Sequence, residues 1–209
     1  MVVVTKHKTA TGNMVPVLIQ IKRILGTDMA KYQTFDRDLR NYWCTQGKPC
    51  AKYGKRPCCP PTLKLFNELK PKKYMYLVTT TIKVEDYYKV YPNVKASKSW
   101  MYFGMDGTHK MSRNINNKVS FAFEGQAFKV GGCLGCQYAK TGKCKRFSPA
   151  LEGTGINVVK LALEEFDIGI TWRAPMEPIS RMVSVGGIYT NESITAIRFK
   201  EAIKHACNR

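Results

Sequence analysis

Seven of the eight cysteines fall in two short stretches far apart in the chain, and this constrains the fold more than any other feature. The first stretch, "CTQGKPCAKYGKRPCCPP", runs Cys44-x5-Cys50-x8-Cys59-Pro-Pro with Cys58 adjacent; the second, "GGCLGCQYAKTGKCKRFSP", runs Cys133-x2-Cys136-x7-Cys144. A C-x2-C turn aims both sulfurs at one point, and Gly131, Gly132 and Gly135 permit the tight turns it needs. Backbone N–H groups freed by such turns can donate to thiolate sulfur. Lys140, Lys143, Lys145 and Arg146 offset thiolate charge and favour the ionised ligand. The plainer alternative is that Cys58 and Cys59 are small buried hydrophobes. The pairing of the two stretches favours thiolates presented to a metal, which requires the fold to bring them together.

At 209 residues the chain is long enough to bury a real core, and its 44% hydrophobic content is that of a folded domain. No apolar run reaches bilayer length, and "MVVVTKHKTATGNMVP" lacks the parts of a secretory signal. The expected location is the cytoplasm, with no membrane association. In a reducing compartment eight cysteines point to metal or redox chemistry rather than to disulfides.

The net charge of +19 is unevenly placed: residues 1–60 carry +8 and 61–120 carry +7, against +1 for 121–180 and +3 for 181–209. Such a surface attracts a polyanion through counterion release, which makes nucleic acid or a ribonucleoprotein the expected partner. A basic surface with no specific partner is the plainer reading, and no complete recognition motif is present. The candidate contacts are Lys52, Lys55, Arg56, Lys72, Lys73, Lys140, Lys143, Lys145 and Arg146. Aromatic residues among the lysines, in "KPKKYMYLV" and "DYYKVYPNVKASKSWMYF", suit stacking on unpaired bases if Tyr87, Tyr88, Tyr91 and Trp100 are exposed.

Periodicity leaves "VPVLIQIKRIL" (15–25) open between helix and strand. "AKYQTF" (30–35) alternates like a strand, and Thr62 is expected to cap a short helix over "LKLFNEL". "KYMYLVTTTIKV" (73–84) and "RMVSVGGIYT" (181–190) read as strands, and 106–120 as helical. "SPALEGTGI" opens with a helix-start pattern, Asn157 caps "VVKLALEEF", and "DIGITW" follows as a strand. Asn191 is expected to cap the last helix, with Ile194, Ile197 and Ile203 on its apolar face. The fold class is mixed α/β, a single compact domain with cysteine-rich metal-bound loops. Residues 1–172 form the metal-binding part and 173–209 a strand-helix addition packed on it.

The two stretches together, with "SPALEGTGINVV" after the second, resemble the prokaryotic predicted metal-binding proteins of domain of unknown function 2284, over roughly residues 35 to 172. That resemblance implicates Cys44, Cys50, Cys59, Cys133, Cys136 and Cys144 as ligands, with Cys58 as a neighbouring donor. Leu151, Glu152, Gly155 and Ile156 match a later motif to which the resemblance assigns no role. The chain departs from the family pattern at Ala139, where a further cysteine stands, at Lys145 and at Asn157. The second cluster is therefore left with three thiolates. Either the first cluster supplies a fourth, from Cys59 or Cys58, or one corner of the metal centre stays open.

Ferredoxin-like spacing in that family and the excess of cysteine over histidine favour an iron–sulfur cluster of the [4Fe–4S] type, with zinc as the alternative. His7, His109 and His205 lie far from both clusters in sequence; His205 near Cys207 reads as a helix end rather than a ligand pair. No nucleotide loop or Ser-His-Asp set is present in the sequence. Three functions follow: a metal-stabilised protein docking on nucleic acid, an iron–sulfur enzyme or accessory factor for sulfur or electron transfer at an open corner, or a zinc-stapled subunit of a protein complex. The catalytic residues of the second are not identifiable.

Overall fold

Alternation of buried and exposed positions builds the sheet around which the chain is organised. In the computed structural model the described residues are 1–8, 12–45, 53–55, 58–90, 98–130, 148–170 and 180–207, with the backbone only over 98–107. Five antiparallel strands run in the order β1 (Val2–Lys8), β2 (Met14–Leu25), β3 (Tyr74–Lys83), β5 (Arg181–Thr190), β4 (Gln126–Phe128). The ambiguous apolar segment is thus β2, where Val15, Val17, Ile19 and Ile21 point to one face at the strand period of two. Strand β5 pairs with β3 along its whole length, Tyr74 opposite Thr190 and Lys83 opposite Arg181, and so lies inside the sheet. The boundary expected at 172/173 lies outside the described residues.

One face of the sheet is covered by helices. Val78, Tyr76, Ile82, Met182 and Ile188 pack there against α2 (Val84–Val90), α3 (Lys98–Ala122) and α5 (Ala196–Cys207), through Tyr87, Ile115, Val119, Phe199 and Ile203. None of the described helices is long and apolar enough to cross a membrane. Helix α3 comes so close to β5 that a Cβ on Gly186 would stand 2.2 Å from Asn116 Nδ2. On this face of the sheet and on α3, four buried polar atoms have no partner among the described residues: Thr80 Oγ1, Ser184 Oγ, Ser112 Oγ and Asn116 Oδ1. Thr80 lies opposite Ser184 across the β3–β5 ladder. A desolvated hydroxyl with no acceptor costs free energy. Thr80→Val is therefore expected to raise the unfolding free energy by about 1 kcal/mol, as read by urea denaturation; a fall would show that the hydroxyl is satisfied.

The other face is covered mainly by irregular chain. Met75, Leu77, Val185, Tyr189 and Phe128 meet Met29, Tyr32, Phe66, Leu151 and Ile156, together with Val158 and Leu161 of α4 (Val158–Phe166). Asn157 caps α4 as expected, its Oδ1 accepting from the Lys160 N–H at 3.0 Å. Elsewhere this layer departs from the sequence reading. Residues 26–32 form a 3-10 helix and Gln33 makes only an isolated bridge to Ile156, so "AKYQTF" is not a strand. "LKLFNEL" is irregular apart from a 3-10 turn at Phe66–Glu68, and Thr62 Oγ1 turns back to the Cys59 carbonyl. Residues 148–150 have no regular structure, 152–154 form a 3-10 turn, and 167–170 are irregular rather than the start of a strand.

The C-terminal helix also starts later than expected. Asn191 Oδ1 accepts from the Lys73 N–H at 2.9 Å, tying the end of β5 to the start of β3, and Thr195 caps the helix instead. Ile194 and Ile203 are buried but Ile197 is 71% exposed. The helix is regular through His205, which is exposed, to Cys207, whose thiol is pushed up by burial.

Candidate metal centre

The irregular layer holds Cys44, Cys58 and Cys59, whereas Cys207 ends α5 on the helical face. Asp36 starts α1 (Arg37–Thr45), its carboxylate accepting from the N–H groups of Asp38 and Leu39 at 2.8 and 3.1 Å. Cys44 lies in the last turn of this helix, half-buried. Cys58 is 1% exposed and Cys59 half-buried, both in a loop that the Gly54 N–H closes onto the Pro60 carbonyl at 2.8 Å. A cis Pro60–Pro61 peptide then turns the chain toward Leu63, which is buried.

The residues after the second cysteine stretch form the seat for this loop. A Cβ on Gly153 would lie 3.0 Å from the Leu63 side chain, 3.6 Å from the Cys58 carbonyl oxygen and 3.7 Å from Pro60. Gly155 (φ +87°) is wedged between the Leu65 side chain and the Thr34 carbonyl, each 3.0 Å from where its Cβ would be. Thr154, fully buried, donates to the Leu151 carbonyl at 2.7 Å, and Ile156 bridges to Gln33. Leu151, Glu152, Gly155 and Ile156, the motif without an assigned role, thus form a turn against which the Cys58–Leu65 segment and the lead-in to α1 pack. An alanine at Gly155 meets both a left-handed backbone and two close neighbours. Gly155→Ala is expected to cost about 2 kcal/mol, measured by thermal unfolding; an unchanged midpoint would mean the wedge is not tight.

The described residues that flank 131–147 are held together. The Lys129 N–H donates to the Pro149 carbonyl at 2.8 Å, joining a residue just before the stretch to its last residue. From α3, Asn116 Nδ2 holds the Phe128 carbonyl at 3.1 Å and Arg113 Nε the Val130 carbonyl at 3.0 Å. The described residues on either side of 131–147 thus lie side by side, and those after it lead within a few residues into the turn that touches Cys58.

Cys50, Cys133, Cys136 and Cys144 lie outside the described residues, as do Lys52, Arg56, Lys140, Lys143, Lys145 and Arg146. Among the described residues no three of Cys, His, Asp and Glu are grouped closely enough to hold a metal ion. Cys44, Cys58 and Cys59 thus do not form a site by themselves. Of the remaining basic candidates, Lys55 and Lys73 are exposed and Lys72 is half-buried. Lys73 lies over the Tyr74 ring at 5.2 Å. Of the aromatics whose exposure would favour stacking, Tyr87 is 7% exposed and belongs to the core, and Tyr88 is half-buried. The side chains of Tyr91 and Trp100 are outside the described residues.

Arg40 has no counterpart in the sequence reading. It is completely buried, and its guanidinium donates to the carbonyls of Leu63 (2.5 Å) and Pro61 (3.1 Å) and to Asn41 Oδ1 (2.9 Å). Burial and then Arg37 lower its pKa, whereas Cys44, Tyr53 and Glu68 pull it back up. Arg37 itself pairs with Glu68, whose carboxyl is held below its usual range by the Leu65 N–H and then by Arg37. The available signal was positional: a basic residue one helical turn before Cys44, in a helix that Asp36 caps.

Residues 30–188 match a family described as predicted metal-binding protein (DUF2284). No curated protein and no solved structure matches the chain.

Proposed function

The chain belongs to this family of predicted metal-binding proteins, and on that premise we propose that the two cysteine stretches jointly hold a thiolate-ligated metal centre. The observation that carries the reading is that the turn at Gly153, reached just after the second stretch, rests on the carbonyl of Cys58. Cys44, Cys50, Cys59, Cys133, Cys136 and Cys144 would ligate it, with Cys58 as a further donor. A donor set this rich in sulfur and poor in histidine suits an iron–sulfur cluster of the [4Fe–4S] type, or, failing that, a zinc site. The buried guanidinium beside Cys44 fits an anionic thiolate group.

The role of the centre is architectural. The layer it occupies consists largely of 3-10 turns and loops, the kind of chain that a metal crosslink stabilises. Such a protein uses its surface, and a charge of +19 with exposed Lys55, Lys64, Lys70 and Lys73 supports docking on nucleic acid or a ribonucleoprotein. One observation favours a second reading: Ala139 leaves three cysteines in the second stretch. If Cys59 and Cys58 do not complete the set, the open corner suits sulfur or electron transfer.

Metal analysis after anaerobic purification tests the centre. A brown protein with iron and sulfide supports the cluster, stoichiometric zinc in a colourless one replaces it, and no metal ends the proposal. Cys59→Ser is expected to lower metal content if Cys59 bridges the first stretch to the second; unchanged content rules out a bridge through Cys59. Docking predicts salt-dependent retention on RNA or heparin that is insensitive to the redox state of the centre.

A further inference from the structure

We propose that Arg40 is the counter-cation of the thiolate centre and the clamp of its Cys58–Leu63 loop. This inference rests on the metal reading above and concerns a residue that the cysteine motifs do not include. Buried charges in proteins are ordinarily paired. Among the described residues Arg40 has only neutral acceptors, namely the carbonyls of Pro61 and Leu63 and the Asn41 side chain. The carboxylate that acts on it among the described residues, Glu68, makes its hydrogen bonds to Arg37 and the Leu65 N–H instead. Cys44 follows Arg40 by four residues in α1, on the same side of the helix. A thiolate there, sharing its charge with a metal, supplies the missing anion.

The fork geometry adds a second role. A guanidinium presents several donors in a plane, so it can hold two loop carbonyls and still face Cys44. Residues just outside a metal's ligands orient those ligands and tune the charge they carry. In this protein that residue stands one helical turn before Cys44 and holds the carbonyls of Pro61 and Leu63, two and four residues after Cys59.

Arg40→Gln and Arg40→Lys separate charge from clamping in the full-length, anaerobically purified chain. Gln keeps a hydrogen-bond donor without charge, and Lys keeps the charge without the fork. Two measurements are needed: metal retained during challenge with EDTA, and amide exchange at Thr62–Leu65. Arg40→Gln is expected to lose metal about 10-fold faster than wild type, with Arg40→Lys close to wild type. Both variants should exchange faster at Thr62–Leu65. Equal metal loss in the two variants, or retention unchanged in Arg40→Gln, overturns the counter-cation. Should Arg40→Gln fail to fold, Arg40→Lys decides alone: wild-type retention supports the proposal and 10-fold faster loss overturns it. A wild-type chain without metal defeats the metal reading and the counter-cation with it; the clamp then stands or falls on exchange, which is unchanged in Arg40→Gln if the clamp is wrong.

Discussion

Gly186→Ala is expected to lower the unfolding free energy by about 3 kcal/mol. The added methyl would stand 2.2 Å from Asn116 Nδ2 and 2.7 Å from the Phe128 carbonyl oxygen, both inside any permissible contact. Asn116 is fully buried on α3, and its amide already holds the Phe128 carbonyl. The helix must therefore lift from the sheet, and lifting it opens the packing of Ile115 and Val119 as well. Asn116→Ala in the same chain removes the nearer obstruction but not the carbonyl. The double variant should consequently be more stable than the sum of the two single losses predicts, without reaching wild type. Denaturant titration of the three variants measures this coupling, and a Gly186→Ala midpoint equal to wild type would mean that α3 does not rest on β5 at this distance.

Where side-chain pattern alone decides structure, the fold is legible in the sequence. β3 and β5 follow from their β-branched and aromatic runs, and α4 from its period and its Asn157 cap. The irregular layer is not legible in the same way. In 26–32 the buried Met29 and Tyr32 are three apart, which is the 3-10 repeat, but the alternation of the neighbouring "AKYQTF" suggests a strand. Around Leu63–Leu69 tertiary packing of Leu63, Leu65 and Phe66 replaces the helix that local spacing favours. Thr62 and Asn191 are good caps by type, yet both bond to distant or non-helical groups instead.

The candidate centre shows the same division. The cysteines stand out because their chemistry is local to each stretch. What lies between the stretches does not: Gly153 against the Cys58 carbonyl and Lys129 bonded to Pro149 are contacts made only by the folded chain. Arg40 is harder still to anticipate. In sequence it is one of many basic residues in a strongly basic chain, and only its burial distinguishes it from a solvated one.

If the two cysteine stretches share the proposed metal, stripping it is expected to loosen one layer of the protein and leave the other folded. The core on the helical face of the sheet is built from β2, β3, β5, α2, α3 and α5, and none of its buried members is a candidate ligand. Its stability comes from apolar burial that a chelator does not touch. On the opposite face the Cys58–Leu65 loop and the turn at 151–156 hold each other through a few contacts and rest on Leu151, Phe66 and Ile156. Loss of the crosslink should accelerate amide exchange in Arg40–Thr45, Cys58–Leu65 and Leu151–Ile156 by about 100-fold, or ~3 kcal/mol of local protection, while β3 and β5 keep theirs. Far-ultraviolet circular dichroism would change little. Small metal domains that lack such a core unfold outright when stripped. If the chelated chain loses protection throughout β3 and β5, the centre sustains the whole fold rather than one layer of it; if no segment changes, the metal does not sit between the two cysteine stretches.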